Sequence, residues 1–95
     1  MPIFVLTCID RPNSLDRRMA AREAHLAYMG QHSAMMKLAG PLLDDAGQMA
    51  GSLLIVEAED RAAVEAFSAE DPYRKADLFE RVEIRPWRVT VGAFG

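Results

Sequence analysis

Cysteine occurs once in the 95 residues, at Cys8. A single cysteine excludes an intrachain disulfide and a thiolate-bound metal cluster. It lies in an apolar run, and so reads as a small buried hydrophobe rather than a nucleophile. A basic excess is also lacking: 11 Lys and Arg stand against 14 Asp and Glu, for a net charge of −3. Nucleic-acid binding draws on a basic patch, so no such partner is expected. Arg17-Arg18 is an isolated basic pair with Glu23 close behind. No stretch approaches the ~20 apolar residues of a membrane helix. The opening Met1-Pro2-Ile3-Phe4-Val5-Leu6 has no basic lead, and its apolar run is too short for a signal peptide. A cytoplasmic protein without a membrane partner is expected. The chain has no glycine-rich phosphate loop, nucleotide fingerprint, internal repeat or linker. No cofactor is expected.

What the chain does have is apolar residues, 51% of the total, which is high for a domain this small. Its length predicts one domain over residues 1–95. A chain of this size buries only about 60–70% of its unfolded surface. The apolar excess therefore points to a subunit interface.

Ile3 to Ile9 reads as a first strand, with Phe4, Leu6 and Cys8 on one face and Ile3, Val5, Thr7 and Ile9 on the other. Both faces are apolar, as in a strand covered on both sides. Asp10-Arg11-Pro12-Asn13-Ser14 breaks it, and Asn13 or Ser14 can cap a helix from about Leu15 to Met35. Leu15, Met19, Leu26 and Met29 follow helical spacing and define its expected buried stripe. Met36–Leu43 reads as a second strand, with Gly40-Pro41 implying an edge or a bulge. Asp44-Asp45-Ala46-Gly47 signals a hairpin turn. A third strand is expected over Gly51–Ala58. Asp60 caps a helix over Arg61–Ala69, with Ala63, Val64 and Phe67 as its stripe. A short turn follows near Tyr73–Leu78, and then a last strand over Phe79–Val91. The apolar phase of that strand reverses at Pro86, which predicts a bulge or bend there.

The order β-α-β-β-α-β is the ferredoxin-like arrangement, with two helices on one face of a four-stranded antiparallel sheet. Its other face would be open, yet the first and third strands are apolar on both sides. A second copy of the chain is the economical cover, giving a two-fold homodimer with sheets packed face to face.

Two short segments carry candidate chemistry, Arg22-Glu23-Ala24-His25-Leu26 and Asp71-Pro72-Tyr73. A carboxylate can fix the tautomer of a histidine, so His25 and Asp71 would suffice for proton transfer if the fold brings them together. Each also has an ordinary reading. His25 can be an interior helix histidine bonded to a carbonyl or water, and Asp71 can be a plain N-cap before Pro72. The two roles of Asp71 are compatible, with one oxygen capping and the other meeting His25. Arg22 falls between Met19 and Leu26, where a buried cation needs an anion. Asp10, Asp71 or the carboxylate or phenolate of a substrate would serve. Ser52 either donates into a cleft or is an ordinary strand residue, and Tyr73 reads as packing. His32 lies seven residues from His25, whereas a metal pair favours three or four. Metal binding is not expected, and the six methionines read as core and interface filler.

The chain resembles the YciI-like (YCII-related domain) family of the dimeric α+β barrel group. The resemblance runs through Asp10-Arg11-Pro12-Asn13-Ser14-Leu15, Arg18, Arg22-Glu23-Ala24-His25-Leu26, Ala39-Gly40-Pro41, Gly51-Ser52, Asp71-Pro72-Tyr73 and Val82-Glu83-Ile84-Arg85-Pro86-Trp87. Each piece is short, but their order and spacing are specific. The resemblance implies a histidine–aspartate pair in a cleft beside the helices, falling on His25 and Asp71. It implies a relation to a branch that removes halide from a hydroxylated ring, and to cofactor-free isomerases and monooxygenases. Two function classes follow. One is a small cofactor-independent enzyme, with His25 and Asp71 as general acid–base pair and Arg22 and Ser52 contacting an aromatic or enol-type small molecule. Elimination, isomerisation or hydrolysis would suit it. The other is a non-catalytic ligand-binding or accessory module, in which side chains would fill the cleft.

Overall fold

The computed structural model describes residues 1–94. Its elements are β1 (Ile3–Asp10), α1 (Leu15–Gln31), β2 (Met36–Leu43), β3 (Met49–Glu57), α2 (Arg61–Ala69), α3 (Pro72–Lys75) and β4 (Phe79–Trp87). The strands form one antiparallel sheet in the order β2-β3-β1-β4, the ferredoxin-like βαββαβ topology. The alternation in β1 is sharp: Phe4, Leu6 and Cys8 are buried, while Ile3, Val5, Thr7 and Ile9 are half-buried. The buried face meets Leu54, Val56, Val64, Phe67, Tyr73, Leu78 and Ile84 to make the core.

Several expected boundaries move, each for a local reason. α1 ends at Gln31 rather than Met35, because Gly30 weakens the last turn. The chain then tightens into i→i−3 bonds, from the His32 N–H to the Met29 oxygen at 3.1 Å and from the Met35 N–H to the His32 oxygen at 3.1 Å. Ser14 stands at the N-cap of α1, but its side chain makes no capping bond. β3 begins two residues early, at Met49, because Asp44 organises the hairpin. Its Oδ1 accepts from the Ala46 and Gln48 N–H groups at 2.9 and 3.0 Å, and Gly47 takes φ +83°. β4 stops at Trp87 instead of Val91, since Trp87 pairs with Ile3, the first residue of β1.

The bulge expected at Pro86 is not there. Pro86 pairs in register with Phe4, and the irregularity falls between Ile9 and Asp10. β4 is an edge strand, where a missing N–H is tolerated. β2 is the other edge and carries two irregularities, at Met36/Leu38 and Leu42/Leu43. In α2, Val64, Phe67 and Ser68 are buried, and Ala63 is not.

The largest correction concerns α1. Its buried residues are Arg18 and His25, flanked by the partly buried Ala21, Tyr28 and Met29. Met19 and Leu26 are half exposed, at 50% and 49%. The inward face is displaced by about one residue from the apolar stripe. It is polar because two carboxylates, one from β1 and one at α3, wait for it.

Candidate functional site

α1 lies across the sheet and packs on α3, and a cavity opens between α1, β2 and β3. Its volume is about 300 Å³. Arg18, Arg22, His25 and Tyr73 bring polar groups to it, Ser52 adds a hydroxyl, and Leu26, Met29, Ala39, Pro41, Met49 and Leu54 make apolar walls.

His25 and Asp71, 46 residues apart, meet here. The His25 Nδ1 stands 2.8 Å from Asp71 Oδ1, with both side chains buried. An ionised carboxylate only accepts, so Nδ1 carries the proton and Nε2 is the free ring nitrogen. Asp71 is also the N-cap of α3, and Pro72 follows at the first helical position. The division of labour between its oxygens differs from expectation. The same Oδ1 accepts the Tyr73 N–H, at 3.0 Å, and meets His25.

Arg22 lines the cavity but is exposed. It does not pair with Asp10 or Asp71, and among the described residues no carboxylate bridges it. The buried guanidinium is that of Arg18, one turn earlier. Arg18 Nε donates to Asp10 Oδ2 at 2.7 Å and Nη2 donates to Oδ1 at 2.9 Å, a two-pronged pair. Nη2 also donates to Ser52 Oγ at 2.9 Å. Burial opposes the Arg18 charge, and the Asp10 carboxylate more than offsets it, holding the guanidinium above its ordinary range. The basic pair Arg17-Arg18 thus splits. Arg17 turns outward to the Asp77 carbonyl, at 2.9 Å, which Arg11 also grips.

Tyr73 joins the two halves of the site. Its ring stacks on His25 with centroids 3.9 Å apart and planes 14° from parallel. The Arg18 guanidinium carbon lies 4.5 Å from the same ring centre. Burial pushes the Tyr73 phenol up, against the pull of Arg18, so it stays protonated near neutrality. Asp10, Arg18 and Tyr73 were not singled out as site residues by their pattern. The available signal was the seven-residue spacing of Arg18 and His25, which puts two polar groups on one helix face.

His32 is apart from this site. Its Nδ1 is 3.0 Å from the Tyr28 carbonyl, and its ring packs on Tyr28 and Phe67. Among the described residues no cluster of three His, Cys, Asp or Glu could hold a metal ion. Among them, too, no helix is long and apolar enough to cross a membrane.

Known proteins share this fold and much of this sequence. An uncharacterised protein of Haemophilus influenzae is 34% identical over 90% of this chain and 95% of its own length. Protein YciI of Escherichia coli is 31% identical over 90% of this chain and 96% of its own. Among solved structures, the 5-chloro-2-hydroxyhydroquinone dehydrochlorinase of Burkholderia phenoliruptrix, in complex with 2,5-dihydroxybenzoquinone, matches with a TM-score of 0.84 and 37% identity. That match covers 90% of this chain and 93% of the other. An antibiotic biosynthesis monooxygenase matches in fold alone, with a TM-score of 0.57 and 11% identity over 96% of this chain and all of the other. Residues 3–88 match the YCII-related domain, and the chain belongs to that family.

Proposed function

We propose that this chain is a cofactor-independent enzyme that moves a proton on a small hydroxylated-ring or enol-type substrate. The observation that carries the reading is the buried 2.8 Å contact of His25 Nδ1 with Asp71 at the edge of an open cavity of about 300 Å³. An accessory module would have that space filled by side chains. Nε2 of His25 is the base, and Asp71 holds the tautomer and stabilises the imidazolium that forms. Arg22, bridged by no carboxylate among the described residues, attracts the phenolate or enolate and stabilises charge that develops on its oxygen. Ser52 lends a hydroxyl from the cavity wall. For a halogenated hydroxylated ring the step is elimination. Nε2 accepts a proton from a ring hydroxyl and the proton is returned to the halogen-bearing carbon, giving the keto tautomer; halide then leaves with the electron pair of its bond to carbon as a second hydroxyl loses its proton, which yields the quinone. The dehydrochlorinase with which this chain shares 37% of its residues supports that choice.

The working unit in this reading is a two-fold homodimer through the open sheet face. Alternation in the paired strands puts Val5 and Thr7 of β1, Leu53 and Ile55 of β3, and Leu38 and Leu42 of β2 on that face. Arg81, Glu83 and Arg85 of β4 give it a charged margin. An apolar centre inside a charged rim is the anatomy of an interface.

The test is chloride release from 5-chloro-2-hydroxyhydroquinone and related hydroxylated rings. His25→Ala and Asp71→Asn are each expected to lower turnover by about 10²–10⁴-fold with the fold intact. The double variant should be little worse than either single one, since the pair acts as a unit. Wild-type turnover by His25→Ala, or no turnover of any such ring by the wild type, would remove the reading.

A further inference from the structure

The bond from Nδ1 to Asp71 fixes one direction of the His25 ring but not its plane. An imidazole held at one nitrogen can still swivel about that bond and carry Nε2 out of line with a substrate. We propose that Tyr73 is a positioning residue that fixes this plane, and that Arg18, anchored by Asp10 and Ser52, is the clamp behind it. The inference rests on the reading of His25 as the proton carrier.

Three observations carry it. First, the near-parallel contact at 3.9 Å leaves the imidazole no room to swivel on the Tyr73 side. Second, Tyr73 is itself held. Its ring centre has His25 at 3.9 Å and the Arg18 guanidinium carbon over it at 4.5 Å. Arg18 and His25 are seven residues apart, about 10 Å along α1, so one helix holds the ring at two points. Third, the clamp is rigid. Three hydrogen bonds, at 2.7, 2.9 and 2.9 Å, fix the guanidinium to Asp10 and Ser52. A guanidinium is planar and so stacks well on an aromatic face. Ser52 thereby gains a second role, as an acceptor that holds the clamp.

The test compares Tyr73→Phe with Tyr73→Leu and reads the His25 ring by nitrogen and proton NMR. In the wild type, the carbon-bound protons of His25 should lie upfield of free imidazole, shifted by the Tyr73 ring current, and one tautomer should be present, with the proton on Nδ1. Tyr73→Phe keeps the plate and should keep both signatures, with kcat within about threefold of wild type. Tyr73→Leu keeps apolar volume but loses the plate. It should leave the Nδ1–H tautomer, which Asp71 fixes, and lower kcat by about 10–100-fold with less change in KM. Unshifted His25 protons in the wild type overturn the proposal without any variant, so poor folding of Tyr73→Leu does not protect it. A wild-type kcat in folded Tyr73→Leu overturns it as well, as does a Tyr73→Phe variant as impaired as Tyr73→Leu. The NMR signatures need no substrate, so failure of the positioning role is separable from failure of the enzyme reading.

Discussion

At the scale of single residues, polar groups in this protein are buried only where each has a partner, and Cys8 is the informative exception. Its thiol is enclosed at the centre of β1 and pushed up to about 12, first by burial and then by the nearby Asp71 charge. The unfolded thiol titrates near 9.0. A group raised in this sense contributes fully below its unfolded value and loses that contribution as pH climbs to the folded one. The native state should therefore weaken between about pH 9 and pH 12, by about 4 kcal/mol in all from this group. Urea midpoints across that range should fall more steeply for wild type than for Cys8→Ala, whatever the cavity costs at neutral pH. Parallel slopes would mean that the thiol is not the titrating group. The residue scale is also where reading the sequence was least complete. His25 and Asp71 could be named because their motifs are distinctive. Arg18 could not, because burial of a guanidinium depends on Asp10 arriving from another element, and nothing within α1 announces that. Arg22 was assigned the buried phase that belongs to Arg18.

At the scale of elements, strand order and most boundaries were legible because alternation and turn chemistry are local. The hairpin at Asp44–Gly47 and the capped starts of α2 and α3 follow from such short signals. What misled was hydrophobicity treated as the only reason for burial. α1 turns its Arg18–His25 face inward and leaves Met19 and Leu26 half exposed, with Leu26 beside the cavity. The reversed apolar phase in β4 likewise reflects residues past Trp87 that leave the sheet, not a bend within it. β1 and β3 approach closely at Gly51. A methyl group there would collide with the main-chain oxygen of Cys8, which cannot move aside as a side chain could. Gly51→Ala should cost about 1–3 kcal/mol of stability, measured by urea unfolding. An unchanged midpoint would mean that the two strands are free to part.

At the scale of the whole molecule, the open sheet face sets the expectation. Leu38 is 53% exposed on that face, a poor place for a large aliphatic side chain in a monomer. In the proposed dimer, light scattering at micromolar concentration should report about twice the 10.5 kDa chain mass, and Leu38→Glu should shift the population toward monomer. A wild-type monomer at that concentration would dispose of the dimer. One feature at the opposite side of the sheet reaches further. The oxygen of Asp71 that meets His25 is the same oxygen that caps α3, a helix of four residues that also supplies Tyr73. In the proposed mechanism the aim of His25 and the fold of α3 are therefore coupled, because unwinding α3 would carry off the oxygen that holds the imidazole. For a lineage of such proteins this narrows the paths of change. If the chain is the proposed enzyme, a different substrate would be accommodated by altering cavity walls that take no part in the pair, for example Leu26, Met49 or Pro41. In the proposed enzyme, replacing Asp71 by anything but another capping side chain such as Asn also loosens α3, so the His25–Asp71 half of the site should drift more slowly than the cavity walls.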